Sequence, residues 1–485
     1  MRIPEHPILE FKKGRKISFF FNGKKFFGYE GDTISSALVA NGIYVLSRSL
    51  RFKNPRGFFC GIGKCSSCLM NVNGIPNVRT CITPLEEGMD IKMQEGFADI
   101  PNIRFEGFKR KRISTDILII GAGPAGLCAA LEGAEQNAKI LLADENPKLG
   151  GQLIKQTHKF FGSREEKAGT RGIKIAEQLT EDVKRKKNIE IFSQSTVFGY
   201  YEDGNEHVFG LAKRYNGYKE EIYEVRCKSA IFACGAMENM LVFPGNDLPG
   251  VYGAGGVQTL MNVHGVKPGK RVLMVGSGNV GLIVSYQLLQ AGVEVAAIIE
   301  ALPKIGGYHV HAAKVRRSGV PILTSHTIIE AEGKDRVEKA KIAKLDENWN
   351  VIPGSEKDIK CDTICLAVGL TPSIRLLAQT GADVRFIAEA GGYVALHNKY
   401  METSIKGIYV AGDASGIEEA STAMLEGRIA GLSAAHFVKN REVEDKKIKP
   451  YLDGLDRLRS GDFGTRGRKA KEKILSIMEK EYGRV

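Results

Sequence analysis

The chain has 485 residues, too many for one compact core, so we expect two to four domains. Hydrophobic residues make up 43% and charged residues 26% of the sequence, an ordinary globular balance. The net charge of +13 raises the idea of nucleic-acid binding, but Lys and Arg are spread along the whole chain without a recognition motif, so we expect no nucleic-acid partner.

The sequence predicts a cytoplasmic protein without a transmembrane segment. Its first residues are polar and lack the apolar core of a signal peptide. The most apolar stretch, residues 117–131, is interrupted by glycines and a proline and is too short to span a bilayer. The nine cysteines are an odd number, which argues against a disulfide framework.

Residues 1–103 are predicted to form a small β-rich domain. Two strands, 17–21 and 24–29, are joined by a turn at Asn22-Gly23. Asp32 is expected to cap a helix over 33–41. A cysteine loop follows, and short strands at 69–72 and 89–93 complete the sheet. This order resembles the β-grasp fold of ferredoxins.

Four cysteines cluster in that domain with the spacing Cys-x4-Cys-x2-Cys, followed by a fourth after a short gap. A 2Fe–2S cluster needs four thiolates from a loop that wraps it, and the first three spacings match the plant-type ferredoxin pattern. A structural zinc site is an alternative, although zinc ribbons usually carry two Cys-x2-Cys pairs and only one is present. A domain that has lost its cluster is another. The predicted cluster ligands are Cys60, Cys65, Cys68 and Cys81.

After a charged linker, residues 113–265 are predicted to form the first part of a dinucleotide domain. A strand at 116–120 runs into a glycine-rich turn and a helix over 127–137, whose N-terminus would receive a pyrophosphate. A second strand, 139–143, ends in two carboxylates suited to ribose hydroxyls. The candidate binding residues are Gly121, Gly123, Pro124, Ala125, Gly126, Asp144 and Glu145.

The same unit recurs in residues 266–355, which we predict to be an inserted NAD-type domain. A strand at 272–275 leads into a second glycine turn, and a strand at 293–299 ends in an acid that favours NAD(H) over NADP(H). Such a domain can also persist as a scaffold without nicotinamide. The candidate residues are Gly276, Gly278, Gly281 and Glu300.

Further segments resemble flavin-dependent, disulfide reductase-like proteins: Gly150-Gly151-Gln152, Ala233-Cys234-Gly235 and Gly412-Asp413. The resemblance implies FAD at the first site, with the Asp meeting its ribityl or ribose region. The FAD domain would resume over 356–436. A C-terminal extension, 437–485, ends in a basic helix that would pack on a partner or form a soluble tail. The implied FAD contacts are Gly151, Gln152, Ala233, Gly235, Gly412 and Asp413.

No catalytic residue is predicted. The dinucleotide region has no Cys-x2-Cys pair, so thiol–disulfide exchange is not expected. A lone histidine is more often structural than catalytic, which applies to His158, His264, His309 and His311. The predicted fold class is therefore an α/β flavoprotein with two dinucleotide-binding domains, disulfide reductase-like, preceded by a β-grasp 2Fe–2S ferredoxin-like domain.

This domain order, over residues 15–435, resembles the alpha (A) subunit of heteromeric amino-acid-oxidising complexes. The family comprises heteromeric sarcosine oxidase, dye-linked L-proline dehydrogenase, opine oxidase and hydrogen cyanide synthase. The chain departs from the sarcosine oxidase subunit because it ends without a large folate-binding region and keeps all four cluster cysteines. Both departures favour the dye-linked dehydrogenase or opine oxidase branch.

The resemblance implies an oxidoreductase that acts on CH–NH groups as part of a complex. A flavoprotein beta subunit would oxidise the amino acid and pass electrons through an interface FMN to this chain, which relays them to an external acceptor. A small ferredoxin-like subunit is a further implied partner. Family members hold FAD, NAD or ATP at the first nucleotide site, and NAD(H) could occupy the second. The alternatives are a self-sufficient NADH:acceptor oxidoreductase and a non-enzymatic nucleotide-binding module.

Overall fold

The computed structural model describes residues 1–94, 96–98, 111–160, 167–204, 206–215 and 219–483. The chain forms two compact units. Unit 1 consists of Met1–Phe105 and Glu238–Gly369, and unit 2 consists of Glu106–Met237 and Leu370–Val485. The inserted nucleotide segment therefore belongs to the same unit as the N-terminal domain. The predicted five-part division of the chain stays a prediction.

The N-terminal part of unit 1 is a five-stranded sheet with one helix, Ile34–Ala40. Lys16–Phe21 pairs antiparallel with Lys24–Tyr29 across the predicted turn, and parallel with Asp90–Met93. The order of strands in this sheet is Lys24–Tyr29, Lys16–Phe21, Asp90–Met93, Leu69–Val72 and Ile75–Arg79. The short strands Ser47–Arg48 and Pro55–Arg56 pair separately.

Local sequence explains both the first strand and the helix. Ile17, Phe19 and Phe21 alternate with more exposed residues, so one face of the strand is buried. Each such side chain stabilises the fold by about 1.5–3 kcal/mol. Thr33, not Asp32, caps the helix through a reciprocal pair with Ser36. Asp32 was the wrong choice because its carboxylate is already engaged, in an ion pair with Arg2 and a hydrogen bond from the Tyr29 amide.

The second part of unit 1 is a five-stranded parallel sheet, in the order Val251–Gly253, Thr363–Leu366, Arg271–Val275, Glu294–Glu300 and Ile322–Thr324. Its central strands are almost entirely buried, as expected for a parallel sheet covered on both faces. The helices are Ala254–Gln258, which continues as a π-helical turn over Thr259–Val263, then Asn279–Gln290 and His309–Arg317. An antiparallel sheet contains His326–Glu332, Lys339–Lys344 and Lys357–Lys360.

Within unit 1 the cysteine-bearing segment, residues 57–68, packs directly on the inserted part. We call this segment the cluster loop. The Gly253 amide donates to the Phe59 carbonyl at 3.2 Å, and the rings of Phe58 and Tyr252 lie 6.3 Å apart. A Cβ on Gly256 would lie only 2.0 Å from the Phe59 oxygen. The contact is therefore backbone against backbone.

Unit 2 is built on a seven-stranded sheet. Its long strand Lys219–Phe232 runs parallel to Lys111–Ile120, pairs antiparallel with Glu206–Tyr215 in its first half, and pairs with Ile408–Val410 at its end. The remaining strands of this sheet are Ile140–Ala143, Ile189–Phe192 and Ser195–Asp203. A separate pair is Val384–Ile387 with Gly392–Ala395, and the short strands Ala236–Glu238 and Leu370–Pro372 lie where the chain passes between units.

Small residues let the main helices of unit 2 pack closely. A Cβ on Gly427 would lie 2.1 Å from the Ala125 carbonyl oxygen, and one on Gly431 would lie 2.3 Å from that of Ala129. The α-helices are Pro124–Glu135, Gly172–Arg185, Arg375–Ala378, Ala420–Val438, Asp445–Arg459 and Thr465–Tyr482. The 3-10 turns are Gly151–Lys155, Ala388–Ala390 and Gly412–Ser415.

The last two helices are part of unit 2, so the alternatives of a free tail or a partner-bound helix were wrong. Ala470, Ile474 and Met478 are buried in a small apolar core with Ile387 and Leu396. These positions recur every three or four residues, which is the pattern of a helix with one buried face. Among the described residues, no helix has the length and apolarity needed to cross a membrane.

We expect Gly256→Ala to destabilise unit 1. Helix propensity alone would favour alanine by about 1 kcal/mol. The clash with the Phe59 carbonyl, which cannot move without shifting the cluster loop, should outweigh it and lower the free energy of unfolding by about 1–3 kcal/mol. Chemical denaturation measures the change. Gly461→Ala is the control, because its Cβ would meet nothing within 4 Å; equal stability of the two variants would contradict the packing argument.

Candidate cofactor sites

The structure brings the four predicted cluster ligands together. Cys60, Cys68 and Cys81 are buried and Cys65 is half-buried. The thiols of Cys65 and Cys81 are within hydrogen-bond reach of the Cys60 sulfur, and Cys81 also reaches Cys68. Their hydrogen bonds lower the pKa of Cys60 to about 2 and that of Cys68, while the same bonds raise the pKa of Cys65 and Cys81. Four sulfurs that share protons in this way are a donor set that fits iron.

The backbone of the cluster loop folds tightly around these sulfurs. Gly61 and Gly63 have positive φ angles of 64° and 72°, which residues with a Cβ rarely adopt. The Ile62 amide points at the Cys60 sulfur at 3.5 Å. Amide hydrogen bonds to cluster sulfurs help set a reduction potential. Among the described residues no three His, Cys, Asp or Glu side chains are arranged for a single metal ion; a 2Fe–2S cluster instead spreads four thiolates over two irons.

The first glycine turn in unit 2 has the predicted geometry. Gly121 has a φ of 104°, and a Cβ there would lie 2.3 Å from the Ala233 carbonyl oxygen. A Cβ on Gly126 would lie 1.8 Å from the Gly121 oxygen. Helix Pro124–Glu135 begins at this turn, so its first amides face the space where a pyrophosphate is predicted to bind.

Asp144 holds this turn from the end of the next strand. Its buried carboxylate accepts hydrogen bonds from the Ala122 amide at 2.7 Å and from the Asn146 amide at 2.7 Å. Burial raises the pKa of Asp144, and the two amides oppose that shift. The residue therefore fixes the backbone of the glycine turn, while the predicted ribose contact of Asp144, or of half-buried Glu145, stays a prediction.

Two further predicted segments lie against the first turn. The Gly150 amide donates to the Ala122 carbonyl at 2.8 Å, and a Cβ on Gly151 would lie 2.7 Å from the Gly123 Cα. Gln152, next along, is exposed. Because Gly151 packs on Gly123, the glycine-glycine loop covers the turn.

The Gly412–Ser415 turn lies beside the start of the same helix. A Cβ on Gly412 would lie 2.9 Å from that of Ala125. Burial raises the pKa of Asp413 to about 7, although the Glu418 amide opposes the shift. On the other side of the sheet end, the Gly235 carbonyl accepts from the Ser373 amide at 2.9 Å. The first nucleotide site is therefore assembled from four separate segments of unit 2.

The second glycine turn, in unit 1, repeats the first in detail. Gly276 has a φ of 102°, and its Cβ would lie 2.4 Å from the Ala367 oxygen. A Cβ on Gly281 would lie 2.1 Å from the Gly276 oxygen, whereas one on Gly278 would meet nothing within 4 Å. The open position is the one at which the fingerprint lets a pyrophosphate approach the backbone.

Glu300 has the same role in the second turn that Asp144 has in the first. Its carboxylate accepts from the Ser277 amide and from the Ser277 hydroxyl, both at 2.8 Å. A second glycine-glycine loop, which the sequence motifs did not predict, completes the likeness: the Gly307 amide donates to the Ser277 carbonyl at 3.0 Å, and a Cβ on Gly307 would lie 2.8 Å from the Gly278 carbonyl carbon. Its signal was present in the sequence, since Pro147-Lys-Leu-Gly-Gly recurs as Pro303-Lys-Ile-Gly-Gly.

The remaining cysteines behave as buried apolar residues. All nine cysteines lie in the described residues and none forms a disulfide. Burial raises the pKa of Cys361 to about 11 and also raises that of Cys227 and Cys365. Thiols with raised pKa values are poor nucleophiles. The geometry thus supports nucleotide and cluster binding rather than disulfide exchange.

Comparison with known proteins identifies both parts of the chain. The model of the pyridine nucleotide-disulphide oxidoreductase family matches residues 115–427, well over half of the sequence. The chain belongs to this family. The 2Fe–2S iron-sulfur cluster binding domain matches residues 14–96, which contain all four ligand cysteines. The two matches confirm the predicted fold class, the oxidoreductase class, and a 2Fe–2S cluster and FAD as cofactors.

Curated relatives agree with the predicted resemblance. The chain is 26% identical to the alpha subunit of sarcosine oxidase from Rhizobium meliloti, over 88% of this chain and 46% of that protein. It is 29% identical to the HcnB subunit of hydrogen cyanide synthase from Pseudomonas protegens, over 66% and 70% of the two chains, and 27% identical to an opine oxidase subunit of Agrobacterium tumefaciens, over 67% and 66%. The chain spans about half the length of the sarcosine oxidase subunits that it matches.

Solved structures give the same result. L-proline dehydrogenase from P. horikoshii superposes with a TM-score of 0.71 at 27% identity, covering 93% of this chain and 79% of that chain. Lactococcus lactis thioredoxin reductase superposes with a TM-score of 0.53 at 21% identity, covering 67% and 99%, and shares the fold alone. The resemblance to alpha (A) subunits of amino-acid-oxidising complexes is confirmed. The individual nucleotide contacts and an NAD(H) site stay predictions.

We expect Cys65→Ser to abolish the 2Fe–2S cluster, because a serine oxygen is a poor replacement for the thiolate that iron prefers. Anaerobically purified wild type should contain about two irons per chain and give a 2Fe–2S EPR signal when reduced. The variant should lose both. Cys234→Ser is the control, since Cys234 lies in unit 2 and is a predicted neighbour of nucleotide only. Full iron content in Cys65→Ser would remove Cys65 from the ligand set.

Proposed function

We propose that this chain is the electron-transfer subunit of an amino-acid dehydrogenase or oxidase complex. The observation that carries the proposal is the combination, in one chain, of a converging four-thiol set with the two carboxylate-held glycine turns. Flavin accepts electrons in pairs and a 2Fe–2S cluster passes them singly, so the pair of cofactors suits a relay. No nucleophile–base pair was found in the sequence to suggest a different chemistry.

The names of the relatives indicate the class of substrate. Sarcosine, opines and L-proline, after which three of these proteins are named, all carry an oxidisable C–N bond next to a carboxylate. Several relatives are named as subunits, which supports a separate partner that binds the substrate. We therefore propose that amino-acid oxidation takes place on a flavoprotein beta subunit, with FMN at the interface.

Each set of residues has a distinct part in the relay. The turn at Gly121–Gly126 would bind the FAD pyrophosphate, with Asp144 keeping its backbone in place. The cluster loop would hold the iron, shielded by the inserted part on which Phe59 packs. An external acceptor and a small ferredoxin-like subunit would follow in the chain of transfer, and a cytoplasmic location is expected.

The proposal is tested by anaerobic purification of the tagged chain from cells that produce it at native level. We expect a flavoprotein to co-purify and the complex to reduce a dye with one of sarcosine, L-proline, an opine or glycine. The chain alone should not reduce the dye with any of them. Complex carrying Cys65→Ser should still bleach its flavin with substrate but show no reduced cluster by EPR. Amino-acid oxidation by the isolated chain at the rate of the complex would overturn the proposal.

A second function, NADH:acceptor oxidoreductase, is favoured by one specific observation. The second turn has its own carboxylate, Glu300, and its own covering loop at Gly306-Gly307, so every backbone feature of the first site is repeated. Glu300 at this place disfavours the 2′-phosphate of NADP(H). Both functions can belong to one protein.

NADH added anaerobically to the chain should bleach its flavin if the second site works. Gly307→Val should abolish the bleaching, because the new side chain would enter the backbone of Gly278 and Asn279. The change should leave FAD content unaltered, since it lies in the other unit. Gly319→Val, at an open surface position where φ is positive, is the matched control. No bleaching in the wild type would limit the second turn to a scaffold.

A further inference from the structure

A buried group of charged residues in unit 2 lies outside every motif found in the sequence. We call it the buried ion cluster: Glu426, Lys471, Arg459, Glu418 and His397. Glu426 is 2% and Lys471 5% exposed, so both charges are removed from water. Buried charges are strongly destabilising unless they are paired and hydrogen-bonded. The sequence keeps them here, which calls for an account of what they hold.

Glu426 holds the turn that carries Asp413. One carboxylate oxygen, Oε2, accepts a hydrogen bond from the Gly412 amide at 3.0 Å and another from the Ser415 hydroxyl at 2.7 Å. The two contacts reach the first and last residues of the Gly412–Ser415 turn. The position of Asp413, between them, therefore depends on this one carboxylate oxygen.

The last two helices supply the cations that make Glu426 a stable carboxylate. Its other oxygen, Oε1, contacts the Arg459 guanidinium at 2.7 Å and the Lys471 ammonium at 2.8 Å. Although burial opposes ionisation, Lys471 and then Arg459 hold the pKa of Glu426 to about 2. Arg459 is itself held by Glu418, through hydrogen bonds of 2.7 and 2.9 Å.

Lys471 also contacts the turn directly. Its ammonium donates to the Ser415 hydroxyl at 2.7 Å and to the Ser415 carbonyl at 3.0 Å. It lies 3.2 Å from Nε2 of His397, whose Nδ1 faces the Asn398 carbonyl. Burial, and then the Lys471 charge, lower the pKa of His397 to about 3, so the imidazole stays neutral and can accept from the lysine. The ammonium is surrounded by acceptors on every side.

We propose that Lys471 and Arg459 are positioning residues for the flavin half of the first nucleotide site. They fix Glu426, Glu426 fixes the Gly412–Ser415 turn, and the turn places Asp413 beside the helix that begins at Pro124. The inference rests on the proposed FAD contact of Asp413. It gives the C-terminal helices a part in cofactor binding, although neither belongs to a nucleotide-binding motif.

The two halves of FAD separate a local effect from a general one. ADP fills only the part of the site made by the glycine turn, whereas FAD extends to the turn that carries Asp413. In the full-length chain freed of nucleotide, Lys471→Met should raise the Kd for FAD at least about ten-fold, or about 1.4 kcal/mol. The Kd for ADP should change less than about two-fold. Lys471→Arg, which keeps a cation, should recover most of the FAD affinity.

The matched control is Lys473→Met, on the same helix. Lys473 is exposed and pairs with Glu389 at the surface, so its loss should leave both affinities unchanged. A double variant, Glu426→Gln with Lys471→Met, tests the route of the effect. With the carboxylate neutral there is no buried charge to compensate, so the double variant should bind FAD no more weakly than Lys471→Met. A purely structural role predicts that the two losses add.

Three outcomes would overturn the proposal: equal weakening of FAD and ADP in Lys471→Met, unchanged FAD affinity in that variant, or additive losses in the double variant. If Lys471→Met does not fold, Ser415→Ala tests the same point, since it removes the hydroxyl shared by Glu426 and Lys471. Unchanged FAD affinity there would have the same consequence. A wild-type chain that binds ADP but not FAD would remove the role of Asp413, and with it this inference, whereas the electron-transfer role is decided by co-purification.

Discussion

A carboxylate that accepts a main-chain N–H from a glycine-containing turn is the interaction on which both nucleotide sites depend. Asp144 binds the Ala122 amide, Glu300 binds the Ser277 amide and Glu426 binds the Gly412 amide. Turns of this kind have little side-chain packing to keep them in one conformation, and glycine adds backbone freedom. A charged acceptor makes a stronger hydrogen bond than a neutral one. The acid therefore provides the rigidity that the glycines remove.

The cluster domain follows a different constraint. Its sulfurs converge because a tight loop with two glycines of positive φ wraps them, and that loop is packed on the inserted part of the same unit. Contact between backbone and backbone, as at Phe59 and Gly256, leaves no side chain that could adapt. The sequence motifs for iron and for the second nucleotide, far apart along the chain, thus belong to one compact unit.

Most of the architecture was readable from the sequence because its signals are local. Strands with alternating burial, glycine turns between strand and helix, and cysteine spacing all involve residues within a few positions of one another. The main errors were of another kind. Asp32 was a plausible cap whose carboxylate was taken by Arg2, from the start of the chain, and the C-terminal helices looked like a tail because Arg459 and Lys471 resemble any surface cation until their acid partner is located. Glu426, within a helix, carries no local sign that it faces a turn.

The place of Lys471 in the sequence has a consequence for how the protein matures. A ribosome completes the Gly412–Ser415 turn and Glu426 well before Lys471 and Arg459 leave the exit tunnel. Until then the nascent chain has the acid without its cations, and burying it is unfavourable. Flavin loading at this turn should therefore follow chain release, whereas the thiols between Cys60 and Cys81, which emerge early, are available for iron delivery throughout most of translation.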